Sequence, residues 1–495
     1  MPASDRVGLA LPTRRGILRA AGASAGAAAL GLGLSACASP NGAAGSSGTS
    51  SGSAAPAAAT TGTPVSFTAM YQAGLWSPNQ TQIVLDALWQ ATQPFRDQNP
   101  SIKLTMEPLL GSVASLDFTT GTAPDLVVGW NEFTSLTNAG FLQDLSPYVR
   151  QSNRTLDAWP TYAVDGYRVN GKLYALPFYV ATTSMVTDHA LLDQLGLEYP
   201  APDWTFAQWT TLWSATTQRG GKNPRSGGGI FWSEPGIDDS YFRGWGGTIM
   251  DPAQPTHCVI DSEACIAAGE AIFPLLQQGI ATKNSWTDGP GAVATGRQGT
   301  CALWNAALAV TSVVLTLARL PKWDFYPMPR MPQGSFAYTQ RVFRGMNAAT
   351  KAPDAAWTLL DWLCWDPTVQ RVLMHYGLEP PALKSLQPEY VTILKQTIPP
   401  FAHKNLDAII GEIVNNGAVP DALFPVASDQ ARTLLTTGEQ GIIDRKAEVR
   451  GEFKALAQQM TALEEAHAQE EAVQAEIGTR FPTVGSTIAV VQPGL

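Results

Sequence analysis

Fifteen tryptophans are spread through the 495 residues, and several stand beside polar or charged groups. Trp130 precedes Asn131 and Glu132, Trp304 precedes Asn305, and Trp76 follows Tyr71 and Gln72 at short range. An indole or phenol ring offers a flat apolar face, while carboxylates, amides and guanidinium groups supply directed donors and acceptors. That mixture suits a polyhydroxylated ring, whose C–H faces pack on aromatics and whose hydroxyls need hydrogen-bond partners. Two carboxylates, Glu132 and Glu234, would instead form an acid and base pair for glycoside hydrolysis if about 5 to 10 Å separated them. Nothing else in the chain points to hydrolysis.

Other reactive patterns are weaker. Gly22-Ala23-Ser24-Ala25-Gly26 fits the G-x-S-x-G nucleophile pattern, which requires a strand before the serine and a helix after it. The surrounding "TRRGILRAAGASAGAAALGLGLSAC", Thr13 to Cys37, has no acidic residue and places a basic segment before roughly 15 small and apolar residues, the layout of an export signal. Arg14 and Arg15, followed by Ile17 and Leu18, suit its twin-arginine variant. The ending Leu34-Ser35-Ala36-Cys37 resembles a bacterial lipobox, which implies cleavage after Ala36, loss of Ser24 and acylation of Cys37. From Ala38 to Thr63 only Ala, Ser, Gly, Thr, Pro and one Asn occur. Such a segment is a flexible tether whose ends lie on the order of 25 to 30 Å apart.

The formal charge of −9 becomes about −12 once residues 1–36, with four arginines and one aspartate, are removed. This excludes a nucleic-acid binder. The remaining body of about 430 residues exceeds one compact core, so two lobes are expected. Cys258, Cys265, Cys301 and Cys364 allow three disulfide pairings; the reading favoured is structural, buried cysteines. His257 beside Cys258 lacks any zinc-ligand spacing, and no phosphate-loop pattern occurs, so neither a metal nor a cofactor is expected. "ALWNAALAVTSVVLTLARL", Ala302 to Leu320, reads as a buried helix rather than a membrane span.

The elements that must position these side chains alternate. "VSFTAMYQ" from Val65 reads as a half-buried strand, then Ile83, Val84, Ala87, Leu88, Ala91 and Phe95 recur at helical spacing, with Pro94 bending or shortening that helix. "SIKLTMEPL" and the short apolar "PDLVVGW" return as strands. The class is therefore α/β, and in such sheets ligands lie beyond the carboxyl ends of the strands.

"GTAPDLVVGW" (121–130) followed by "NAGFLQDLSPYV" (138–149) resembles a block of the extracellular solute-binding proteins of sugar importers, the maltose-binding-protein-like family. "GKLYALPFYVATTSMVTDHALLDQLGLEYPAPDWTFAQWTTL" (171–212), "WGGTIMDP" from Trp245, "KWDFYPMPRMP" from Lys322 and "MNAATKAPDAAWTLLDWLCWDPTVQRVLMHYGLEPP" from Met346 continue the family order, over roughly residues 64 to 440. The resemblance implies a two-lobed periplasmic-binding-protein-like fold of type II, a solute cleft between lobes joined by hinge strands, and delivery to an ABC transporter permease at the membrane. It places lobe one at 64–179 plus 338–385 and lobe two at 180–337 plus 386–495.

From the same resemblance, Trp130 and Glu132 take the roles of an aromatic and an acidic sugar contact. Tyr71, Gln72, Trp76, Tyr179, Glu234, Trp245, Trp304, Asn305 and Arg344 join them as residues at strand ends or crossings. Trp209, Trp213, Trp357 and Trp362, at helical spacing, belong to cores. The same fold holding a non-sugar solute is the alternative; scarce histidine and the acidic balance disfavour metal and anions in the cleft. The chain departs from the family in a short segment after Leu110, in Asp188 where an Asn is frequent, and in a helix-prone tail over 438–477. That tail reads as a solvated surface helix, with capping of the second lobe or contact with a partner as alternatives.

Overall fold

The computed structural model describes residues 62–68, 78–107, 115–129, 133–231, 235–284, 292–304, 317–375, 380–418 and 428–480. The signal, Cys37 and the tether lie outside them. The first strands are β1 (Thr63–Thr68), β2 (Ile102–Glu107) and β3 (Leu126–Gly129), with β1 between its two parallel neighbours. Leu126, Val127 and Val128 are fully buried, as the unbroken apolar run of β3 requires in a covered parallel sheet. The helix Pro78–Ala91 buries Val84, Leu88 and Ala91. It stops ahead of Pro94, which sits in the first turn of a second helix, Gln93–Gln98, where its missing N–H costs nothing. Ile83, expected on the core face, is instead 44% exposed: the burying stripe passes through Val84 and Leu88.

A small hairpin, β4 (Arg168–Val169) and β5 (Lys172–Leu173), leads into the 14-residue β6 (Ala175–Asp188). Beyond it come β7 (Ser226–Phe231), the hairpin β8 (Met250–Asp251) and β9 (Gln254–Cys258), β10 (Ala281–Asn284), β11 (Gln298–Trp304), β12 (Trp323–Tyr326), β13 (Ala337–Met346) and β14 (Gly417–Ala418). One sheet runs in the order β10-β7-β11-β6-β13-β3-β1-β2, with β12 added on β6 and β14 on β13. β6 pairs with β13 up to Thr182 and with β11 from Thr183 onward. A single strand thus serves two lobes. The expected helix over 302–320 begins as strand, since Ala302 to Trp304 close β11; residues 305–316 lie outside the described set.

Each lobe has its own core. The second gathers Trp209, Trp213, Tyr241, Phe242, Ile272 and Phe273. Trp213 lies so close to β7 that a Cβ at Gly227 or Gly228 would come within 1.8 Å of it, which explains the glycines at those two positions. Its indole N–H donates to Thr300 Oγ1. The first core gathers Phe67, Leu126, Phe178, Phe343 and Leu359, and runs across the crossing to Trp323 and Phe325. Trp357 and Trp362 pack partly buried on its side.

The stretch beginning at 386, expected in the second lobe, packs Tyr390, Leu394, Phe401 and Ile409 into the first cluster. It also grips both sides: Tyr162 donates to the Ile413 carbonyl at 3.0 Å, while Asn405 N donates to Asp324 and Met328 N to the buried Glu412 carboxylate. The tail is two helices, Ser428–Ile443 and Val449–Arg480, parted at Arg445 with φ +60. It is not a solvated surface element. Phe453, Leu456, Ala457 and Met460 are buried in the second core, so the tail caps that lobe.

Cys258, Cys265 and Cys364 are buried free thiols, as the structural reading expects; the side chain of Cys301 lies outside the described set. Burial pushes Cys258 and Cys364 up to about 12 and Cys265 up to about 11. Among the described residues no helix is long and apolar enough to cross a membrane.

Candidate functional site between the lobes

The ladder fixes where the strand ends meet. On one side Gly129, the last residue of β3, lies opposite Phe343 of β13, which in turn lies opposite Pro177 of β6. On the other, Trp304 at the end of β11 lies opposite Thr183 of β6. β1 and β2 run parallel with β3, and β7 and β10 parallel with β11. The carboxyl ends of both sets of parallel strands therefore point into one seam, bounded along β6 by Pro177 and Thr183, about 20 Å apart at ~3.3 Å per residue. This is the position at which open α/β sheets hold ligands.

Tyr71, Gln72 and Trp76, which follow β1, Trp130 and Glu132, which follow β3, Glu234, which follows β7, and Asn305, which follows β11, lie outside the described residues. Each lies in the segment that follows the carboxyl end of a strand pointing into the seam. Trp304 is described in its backbone only, as the last residue of β11. The remaining expected site residues are located by their contacts.

Tyr179 lies on β6 at the seam, 4% exposed, with its ring 4.3 Å from that of Phe178. The register between β6 and β13 shifts here: Val342 faces Tyr179 and Phe343 faces Pro177, leaving Phe178 as the extra residue of a bulge. Bulges turn strands and re-aim side chains beside functional sites. Arg344, expected as a ligand contact, is fully buried. Its Nη1 donates to the Thr68 carbonyl at 3.1 Å, and its guanidinium carbon stands 3.9 Å over the Phe178 ring. Burial lowers its pKa, while the fields of Tyr179 and Cys364 act the other way. Such a cation braces the end of β1 against β6 and β13 from beneath; it does not line an open surface.

Trp245, also expected at the cleft, is half-buried and meets Phe206 edge-on at 4.9 Å on the second core. Its place follows from the helix Pro235–Arg243, whose end turns at Gly246 with φ +88. The seam also contains a run that the sequence reading passed over, Thr182, Thr183 and Ser184, all buried. Three hydroxyls inside the apolar stretch "YVATTSMV" were the available signal. Asp188, the departure from the family's Asn, ends β6 and caps the next helix by accepting from Ala190 and Leu191; burial still raises its pKa. Among the described residues, no group of three or more His, Cys, Asp or Glu is arranged to hold a metal ion.

The family model described as bacterial extracellular solute-binding protein matches residues 77–364. No curated protein matches the chain. Among solved structures, the sugar transporter of Rhizobium etli in an open conformation is 17% identical, with a TM-score of 0.65 over 81% of this chain and 99% of that one. The sugar-binding protein MalE of the phytopathogen Xanthomonas citri is 18% identical, with a TM-score of 0.64 over 82% and 98%. The cyclic alpha-maltosyl-1,6-maltose binding protein of Arthrobacter globiformis is 15% identical, with a TM-score of 0.63 over 82% and 100%. At these identities the likeness is one of fold, a two-lobed α/β binding protein.

Proposed function

The chain belongs to the bacterial extracellular solute-binding proteins, and from that premise we propose that it captures a carbohydrate in the seam between its lobes and passes it to an ABC transporter permease. It is a binding protein rather than an enzyme, as its family is. The observation that carries the proposal is the opposed approach of two sets of three parallel strands, whose ends at Gly129 and Trp304 register with Pro177 and Thr183 of β6. The loops that carry Tyr71 and Gln72, Trp130 and Glu132, Glu234, and Asn305 leave from those ends, so a solute lying there would be met from both lobes. Neighbours of the same fold are described with cyclic maltosyl-maltose, with alpha-D-tagatose and with acarbose.

In this reading Trp130, Trp76, Tyr71 and Trp304 offer ring faces to the sugar. Glu132, Glu234, Gln72 and Asn305 take its hydroxyls, and Tyr179 stands at the hinge. Arg344 positions the end of β1 instead of touching the solute, and Trp245 supports the second lobe. Lobe one comprises 64–179 and 338–385, with 386–413 packed on its core and bonded to both sides, and lobe two comprises the rest. Export by the twin-arginine route and acylation of Cys37 would hold the receptor at the outer face of the cell membrane, with two or more acyl chains needed for firm retention. Glu132 and Glu234, by this reading on different lobes, have no role as a hydrolytic pair.

The test is thermal melting of the mature protein against a panel of mono- and oligosaccharides. One or a few sugars should raise the midpoint by mass action. A panel flat for sugars, with a shift from a peptide or polyamine, would replace carbohydrate by that solute class.

A further inference from the structure

The second lobe has another concavity at the opposite end of its sheet. A cavity of about 630 Å³ opens where β7, β10 and β11 begin, a full strand length from the seam at which they end. Among the described residues it is lined by Arg219, Arg225, Lys283 and Arg297 and by no carboxylate, with Ser226 and Thr282 between them. Ser226 Oγ and Thr282 Oγ1 lie 3.4 Å apart, and Gln298 donates to Thr282 at 2.6 Å.

Four cations on one cavity are unusual company in a chain of net charge −9. Elsewhere Arg154, Arg243, Arg371 and Arg450 are each held by a carboxylate at 2.5 to 2.8 Å. Here Arg225 donates to the Thr216 carbonyl, Arg297 to Thr295 Oγ1 and Lys283 to Gln440, and none of the four cations meets a carboxylate within ion-pair distance among the described residues. Asp444, whose charge Lys283 feels, is already engaged by Gln440 and Lys446. Asp188 likewise feels Arg225, at more than ion-pair distance. Like charges gathered without a paired carboxylate repel one another, and an oxyanion relieves that repulsion while accepting charge-assisted hydrogen bonds. Guanidinium forks match phosphate oxygens in pairs.

We propose that this cavity is a second binding site, for a phosphate-bearing anion. Its distance from the seam makes it independent of solute capture. The phosphate could belong to a soluble polyphosphate or to an anionic lipid headgroup, and the two sources are separable by experiment. The mature chain is titrated calorimetrically with sodium pyrophosphate in 50 mM NaCl, and in parallel cosedimented with vesicles of phosphatidylglycerol and phosphatidylcholine or of phosphatidylcholine alone. At least one probe should bind, weaken as NaCl rises to 300 mM, and lose tenfold or more in affinity in the double variant Arg219→Gln, Arg297→Gln. Both side chains are exposed, so the melting midpoint should hold; Lys283→Gln supplies the same comparison if it does not. Binding of pyrophosphate alone identifies a soluble ligand, and binding of the anionic vesicles alone a headgroup. Failure of both probes, or variants that bind as the parent does, overturns the proposal, whatever the sugar panel gives.

Discussion

Phe453→Ala separates a tail that caps the second lobe from one that merely rides on its surface. The side chain is fully buried, with its ring edge-on to Phe242 at 5.7 Å and to Phe273 at 6.0 Å. It also presses on Gly269, where a Cβ would meet it at 3.2 Å. Those neighbours belong to two other helices, Pro235–Arg243 and Glu263–Gln277, neither free to collapse into the space vacated. Truncation should therefore cost about 3 to 5 kcal/mol, a large part of the ~5 to 15 kcal/mol that holds a typical protein together. A residue on a solvated helix would cost within about 0.5 kcal/mol. Urea unfolding followed by tryptophan fluorescence reads the difference, since Trp209 and Trp213 lie in the same core. At an m-value of ~2 to 3 kcal/mol/M, the transition of this lobe should move down by about 1 to 2 M. A loss below about 1 kcal/mol at unchanged m would refute the capping argument, and with it the view that the second lobe is completed by residues beyond the family match.

Three further outcomes are expected. Trp130→Ala should weaken binding of the sugar found by the panel by roughly 1 to 3 kcal/mol with an unchanged melting midpoint; equal affinity in a calorimetric titration removes Trp130 from the site. Cys37→Ser should shift the protein from the membrane fraction to the soluble one on immunoblotting, and retention would mean that another segment anchors it. Cys258, Cys265 and Cys364 should resist alkylation at pH 8 in the folded chain, read peptide by peptide by mass spectrometry, because burial holds them protonated. Once unfolded, each returns to a pKa of about 8.5. The stability tied to these protons is thus complete below that value and declines as pH rises toward about 11 to 12, so the urea midpoint should fall between pH 8 and 10. Rapid labelling of the native thiols would contradict their burial.

Local signals carried much of the architecture. Pro94 marked a helix break because a proline is harmless only in a first turn, and "PDLVV" marked a covered strand because only a sheet protected on both faces accepts so unrelieved an apolar run. Signals failed where tertiary context decides. Ile83 shares the helical period of Val84 and Leu88, yet the width of the buried stripe depends on what packs against it. Ala302 to Trp304 have the composition of a buried helix, but pairing with Thr183 to Met185 makes them strand. The alanine-rich last helix shows weak amphipathicity, so its buried anchors Phe453, Leu456, Ala457 and Met460 could not be told from a solvated face until Phe242 and Phe273 stood opposite.

Arg344 carries the sharpest lesson about the site. In sequence, a cation at a chain crossing reads as a donor waiting for a solute. In the ladder it lies opposite Val128 and Leu176, deep between β3 and β6, two positions from the bulge that sets Phe178 out of register. No alternation along "ALPFYVATTS" could locate that extra residue, because it is defined by the partner strand. Yet the bulge sets out of register the ring of Phe178, which with the carbonyl of Thr68 is among the groups that hold the guanidinium. Its charge is directed at the end of β1, from which Tyr71, Gln72 and Trp76 follow. The residues proposed to meet a solute are thus those that sequence places after strand ends, whereas the residue that braces one of those ends is set by register, which only the assembled sheet supplies.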